Sequence, residues 1–175
     1  MIEVLRLGHR IKRDERLTSH VALVARAFGA DKVYYSGQRD SSLENSINKV
    51  VDKFGGRFKI EYIKNPINFL KEAFKKSFSK KYKIVNLTVY GLPIQKEINK
   101  IKKFKNIVVI VGSTKVPINY YKMADFNISI TQQPHSEVAA LSIFLDKYFN
   151  GKELNKRYKN AKLRIVPQEK GKLLK

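Results

Sequence analysis

Cysteine is absent from this 175-residue sequence, and histidine occurs only three times. The first absence excludes a disulfide framework, a thiolate-ligated zinc site and a cysteine nucleophile together. The second leaves little imidazole for chemistry. Acid is also scarce, since 15 Asp and Glu face 36 Lys and Arg, for a formal charge of +21 at pH 7. A globule so charged repels itself unless a polyanion is near, and nucleic acid fits that role better than a membrane surface. No run approaches the roughly eighteen apolar residues of a membrane-spanning helix. The opening Met1-Ile2-Glu3-Val4-Leu5-Arg6 lacks the basic, apolar, small-residue order of a signal peptide, so a cytoplasmic protein is expected. Neither G-x-x-x-x-G-K-[ST] nor G-x-G-x-x-G occurs, which removes the main support for nucleotide hydrolysis and nicotinamide chemistry.

What is present is the composition of a folded chain: 43% of residues are hydrophobic and 11% aromatic. Short β-branched or aromatic runs alternate with segments of helical period, the pattern of a mostly parallel sheet with helices on both faces. Strands are predicted at Glu3 to Leu7, Lys32 to Ser36, Phe58 to Ile63, Ile84 to Tyr90, Ile107 to Val111 and Phe126 to Ile130. The run Ile107-Val108-Val109-Ile110-Val111 is apolar on both faces and marks the middle of the sheet. Helices are predicted from a start near Leu17, from Ser41-Ser42 to Gly55-Gly56, along the stripe Leu70, Phe74 and Phe78, after Pro93, and from Glu137 to Phe149 with Ser136 as N-cap. The α/β domain is expected to fill residues 1–150, followed by a basic extension, 151–175, docked on the domain or on a dimer.

Two polar loops leave neighbouring strands at the carboxyl edge, where open α/β sheets bind ligands. Gly112-Ser113-Thr114-Lys115-Val116-Pro117 follows the central strand; read blandly, it is a strand-to-helix turn with Pro117 opening the helix. Thr131-Gln132-Gln133-Pro134-His135-Ser136-Glu137 enters the last helix, whose free amides and positive dipole end favour a ligand. His135 and Glu137 have no third ligand at metal spacing, so no metal is expected. A third cluster, Arg6, His9, Arg10, Lys12, Arg13, Asp14, Arg16 and His20, surrounds the exit of the first strand, and such guanidinium density suits phosphate. Arg16 and His20 lie one turn apart, off the apolar face of Leu17, Val21, Val24 and Phe28. The lysine-rich segment from Lys64 to Lys83 interleaves aromatics at helical spacing; these are read as core, leaving the lysines for phosphate contact.

The strings LRLGHR (5–10), RDERLTSHVALVARAFGA (13–30), LTVYG (87–91), VGSTKVP (111–117), QPHSEVAALS (133–142) and AKLRIVPQEKGK (161–172) together resemble the archaeal tRNA cytidine-56 2′-O-methyltransferase family. The resemblance implies a SPOUT-type fold with a C-terminal trefoil knot, S-adenosyl-L-methionine as cofactor, tRNA as substrate and a homodimer whose active site crosses the interface. It implies that Leu87, the loop Gly112, Ser113, Thr114, Lys115 and Val116, and the stretch Ile130, Thr131, Gln132, Gln133, Pro134, His135, Ser136 and Glu137 wrap the cofactor. Related enzymes use an arginine in an N-x-G-x-x-x-R context to activate the ribose hydroxyl. That context is absent here, and Arg16 and His20 are expected in its place, with Arg6 orienting or binding phosphate. His20 is the easier base, because arginine holds its proton above pH 12. A SPOUT enzyme with another nucleotide target and a non-enzymatic RNA-binding protein are the alternatives.

Overall fold

A computed structural model describes residues 1–75, 82–112 and 115–175, without the side chains of Glu15 and residues 73–75. The predicted apolar positions Phe74 and Phe78, as side chains, lie outside the described residues, as do Ser113 and Thr114. The strands are β1 (Ile2–His9), β2 (Lys32–Gly37), β3 (Lys59–Tyr62), β4 (Tyr82–Pro93), β5 (Asn106–Val111) and β6 (Phe126–Ser129), followed by a short pair, β7 (Ile165–Val166) and β8 (Leu173–Leu174). The helices are α1 (Ile11–Ala27), α2 (Ser41–Phe54), α3 (Pro66–Lys75), α4 (Ile94–Ile101), α5 (Ile118–Met123) and α6 (Glu137–Phe149).

The main sheet has the order β3-β2-β1-β5-β4-β6 and all its pairings are parallel. β5 lies in its middle, between β1 and β4, as its two apolar faces require. Alternation along the strands divides the core. Val4, Val33, Val85, Ile107 and Val109 belong to one cluster with residues of α1, α2, α4 and α6. Leu5, Leu7, Ile84, Val108 and Ile110 face Leu70 of α3 and Tyr120 of α5 on the other side. Burying each such side chain contributes about 1.5–3 kcal/mol.

Three elements differ from the sequence expectation. α1 starts at Ile11 rather than near Leu17. No side chain among the described residues caps it; the Asp14 carboxylate in its first turn takes two hydrogen bonds from the Arg10 guanidinium, at 2.8 and 3.1 Å. α2 is capped by Asp40, one residue before the expected serines, whose carboxylate accepts the amides of Ser42 and Leu43. β4 runs past Tyr90 to Pro93 with an irregularity, Leu87 and Leu92 both facing Ile128 of β6. Gly91 makes that detour possible, because a Cβ there would sit 2.5 Å from the Ile128 nitrogen.

After α6 the chain turns through Asn150 and Gly151, both left-handed, into a 3-10 helix at Lys152–Asn155. The segment beyond lies on the end of α2: the Gly56 amide donates to the Lys159 carbonyl at 2.9 Å, and the Arg26 guanidinium sits 4.5 Å from the centre of the Tyr158 ring. β7 and β8 then form an antiparallel hairpin whose Ile165 and Leu174 are exposed. No helix among the described residues is long and apolar enough to cross a membrane.

Candidate active site

The parallel register brings the carboxyl ends of β4, β5 and β6 side by side, since Leu87 pairs with Val111 and with Ile128. Gly112 therefore leaves β5, and Ile130 follows β6, on either side of the largely buried Leu87. The two polar loops share one edge, as expected of a sheet whose neighbouring strands run in one direction.

The loop from 130 to 136 is held by its own side chains. Gln132 donates to the Ser129 hydroxyl at 2.8 Å, and the Thr131 hydroxyl accepts the Gln133 amide at 3.3 Å. Gln133, Pro134 and His135 are exposed. Ser136 caps α6 by accepting the Val138 amide at 3.1 Å, which leaves other first-turn amides for a ligand. In the loop after β5, Lys115 is exposed and Val116 is half-buried.

Arg6 lies within β1, paired with Tyr35 of β2 and Val111 of β5, and is fully buried. Its Nη1 donates to the Leu7 carbonyl at 2.6 Å, and its Nη2 lies 3.3 Å from Glu137 Oε1. Burial pulls its pKa below the ordinary arginine range, while Glu137 and Asp14 oppose that pull. Among the described residues its Nε and Nη2 make no hydrogen bond, and neither does Glu137 Oε1. Sequence reading made Arg6 an orienting or phosphate-binding group; the structure buries it and ties β1 through it to Glu137 at the entry of α6. His9 is equally buried, its Nδ1 2.9 Å from the Thr18 hydroxyl and its Nε2 3.3 Å from Asp40. It thus joins β1, α1 and the cap of α2.

Arg16 and His20 both lie on the exposed side of α1. Among the described residues neither enters an ion pair, so both are available to a ligand or a second chain. Arg26, by contrast, is spent on structure: it is buried and donates to the Gly55 carbonyl at 2.7 Å. Sequence reasoning missed the buried amide pair at this edge, in which Asn86 donates to Asn127 at 2.9 Å and Asn127 donates to the Tyr121 carbonyl. An asparagine in mid-strand was the available signal, because a buried amide must find partners.

A cleft of about 310 Å³ opens at the same edge, between the exits of β1 and β2 and the loop after β5. Leu7, Gly8, Ser36, Gly37, Lys64 and Lys115 contribute to its walls. Gly37 has φ +107° and approaches the His9 backbone so closely that a Cβ would lie 2.4 Å from the His9 carbonyl oxygen. Only glycine fits there.

Residues 54–175 match the family described as tRNA ribose 2′-O-methyltransferase, aTrm56. A Picrophilus torridus protein named tRNA (cytidine(56)-2′-O)-methyltransferase is 56% identical over 177 residues, covering 100% of this chain and 49% of that protein. The chain thus spans about half the length of that relative. A Thermococcus kodakarensis protein of the same name is 47% identical over 176 residues, covering 98% of this chain and 95% of its own. Among solved structures, the SpoU methyltransferase AviRb from Streptomyces viridochromogenes, in complex with the cofactor AdoMet, superposes with TM-score 0.65 at 10% identity, over 87% of this chain and 57% of that one. The A. aeolicus TrmH/SpoU tRNA modifying enzyme gives 0.61 at 18% identity, over 90% and 80%. These two likenesses establish the fold as that of the SpoU/TrmH, or SPOUT, methyltransferases, and the sequence matches establish that the chain belongs to the tRNA ribose 2′-O-methyltransferase (aTrm56) family.

Proposed function

We propose that this chain methylates the 2′-hydroxyl of cytidine 56 in tRNA, using S-adenosyl-L-methionine. The observation that carries this reading is similarity over nearly the whole chain, at 41–56% identity, to relatives bearing that activity in their names. The site chemistry fits the cofactor. Leu87, Val116 and Ile130 offer apolar surface, while Thr131, Gln132 and the first-turn amides of α6 offer polar partners at the same edge. When bound, the cofactor supplies an activated methyl group on a sulfonium. The loops Gly112 to Val116 and Ile130 to Glu137 hold it and keep water out; Arg16 and His20 position the ribose hydroxyl and take its proton.

The reading extends to assembly. The protein works in the cytoplasm as a homodimer, with Arg16 and His20 of one protomer serving the cofactor loops of the other, and with the C-terminal third threaded as a trefoil knot. The domain spans 1–150 and the extension 151–175 serves the dimer or the RNA. The solvent-facing position of Arg16 and His20 on α1, without ion pairs among the described residues, supports a role across an interface.

Incubating the protein with tRNA transcript and cofactor, then mapping ribose methylation by mass spectrometry, tests the activity. Methylation at a different nucleotide would overturn the target. Arg16→Ala and His20→Ala should each lower turnover at saturating tRNA at least tenfold, within the ~10²–10⁴ range for loss of a group that handles the proton. Variants that recover parental turnover at saturating tRNA would be RNA contacts only.

A further inference from the structure

The cleft between the exits of β1 and β2 and the loop after β5 shares Lys115 and Val116 with the cofactor loop, while its other walls, from β1, β2, the segment before α3 and α5, belong to no site outlined above. Its volume of about 310 Å³ is near the lower end of small-ligand pockets, ~300–1,000 Å³. One nucleotide fits such a space, and a duplex does not. Two side chains with flexible cationic heads, Lys64 and Lys115, stand in its lining from different elements, and among the described residues no carboxylate lines it. Neither lysine has an ion-pair partner among the described residues. Two other clefts differ in this respect: the one beside Arg57 and Tyr158 is lined by Asp31, and the one beside Tyr90 by Glu97 and Asp125.

The remaining walls suit a phosphodiester. α3 opens on the cleft at Pro66, with the Asn65 side chain accepting the Asn68 amide at 3.0 Å, so its dipole adds positive potential. Gly8 and Gly37 also line it, their close backbone packing at His9 fixing the exits of β1 and β2. Leu7 and Tyr120 provide an apolar wall for a ribose or base, beside the Val116 surface assigned to the cofactor.

We propose that this cleft seats one nucleotide of the RNA substrate, with its backbone phosphate held between Lys64 and Lys115. The proposal rests on the reading of tRNA as substrate and adds where on the protein a nucleotide drawn out of the RNA fold is received. Drawing a nucleotide out of its stack is what chemistry on a buried position requires. Because Lys115 belongs to the loop assigned to the cofactor, Lys64 is the decisive residue.

The test measures the affinity of unmodified tRNA transcript for the full chain at several KCl concentrations. Lys64→Ala should weaken binding about tenfold at physiological salt and reduce the slope of log K against log salt by about 0.7–0.9, the share of one phosphate contact. Lys64→Arg should restore both, and calorimetric titration with S-adenosyl-L-methionine should give the parental affinity for each variant. A paired control, Lys103→Ala with Lys105→Ala at the opposite edge, removes more charge and should change binding less than threefold. An unchanged slope in Lys64→Ala, or an equal loss in the control, overturns the cleft. Methylation mapped on the same tRNA separates the two readings. Parental protein that binds tRNA through Lys64 but modifies another nucleotide refutes the cytidine-56 target and leaves the cleft standing; correct methylation beside an unimpaired Lys64→Ala refutes the cleft alone.

Discussion

Replacing Glu137 with glutamine keeps the shape of the side chain and removes its charge from beside the fully buried Arg6. In the parent, the guanidinium has lost its water, donates to one carbonyl and leans on Glu137 at 3.3 Å. Removing one partner of a buried pair costs about 3–5 kcal/mol, because the other charge is left uncompensated. Glu137 retains 21% exposure, and Asp14 still acts on Arg6 at longer range, so a loss of about 2–3 kcal/mol is expected after discounting for solvent. For a domain of this size each kcal/mol moves the melting point by about 2–4 °C, giving a fall of about 4–12 °C. Scanning calorimetry at two ionic strengths should find the same fall in both, since a buried pair is little screened. The double replacement Arg6→Met with Glu137→Leu removes both charges and should recover to within about 1 kcal/mol of the parent. If Glu137→Gln melts within about 2 °C of the parent, or the double variant is no better than the single one, Arg6 is not held by this pair and the link between β1 and α6 fails.

The Arg10 hydrogen bond holds the Asp14 carboxyl below its ordinary value of 3.8. A depressed carboxylate contributes stability above its unfolded pKa and loses it as pH falls through the folded one; the parent should therefore lose stability faster than Asp14→Asn below about pH 4, as followed by urea midpoints. Deleting 164–175 removes only the exposed hairpin and should shift the melting point by less than about 2 °C. Deleting 152–175 also strips Tyr158 from Arg26 and Lys159 from Gly56, and about 2 kcal/mol of lost packing should lower it by about 4–8 °C. Gly91→Ala places a methyl against the β6 backbone and should cost about 1–3 kcal/mol in denaturant titration.

Where structure follows from neighbours in sequence, it could be read in advance. Ser136 caps α6 and Glu137 opens it because a hydroxyl reaching an amide two residues on is local chemistry. The apolar run at 107–111 lies mid-sheet because no other place buries both faces of a strand. α1 was misplaced by six residues because its start is fixed by an Arg10–Asp14 pair and by the Ile11 amide donating to Gln38, a partner 27 residues away. The burial of Arg6 was not legible, because its partner Glu137 is 131 positions away in sequence. The cleft had no sequence signature, since Gly8, Gly37, Lys64 and Lys115 come from separate segments. A knot such as the resemblance implies would likewise be a matter of threading, to which residue periodicity is blind.

The pairing of β1 with β5 joins residues about a hundred positions apart, Ile2 facing Ile107 and Arg6 facing Val111. During synthesis, β1 is made early and its inner partner late. Until residues 106–111 emerge, β1 carries an unpaired row of amides and carbonyls along its inner edge, the condition under which strands recruit the wrong neighbour. A nascent chain halted before Asn106 is thus a template for aggregation, and the cell must either shield it or finish it quickly. Closing so long a loop also puts this sheet among slow folders.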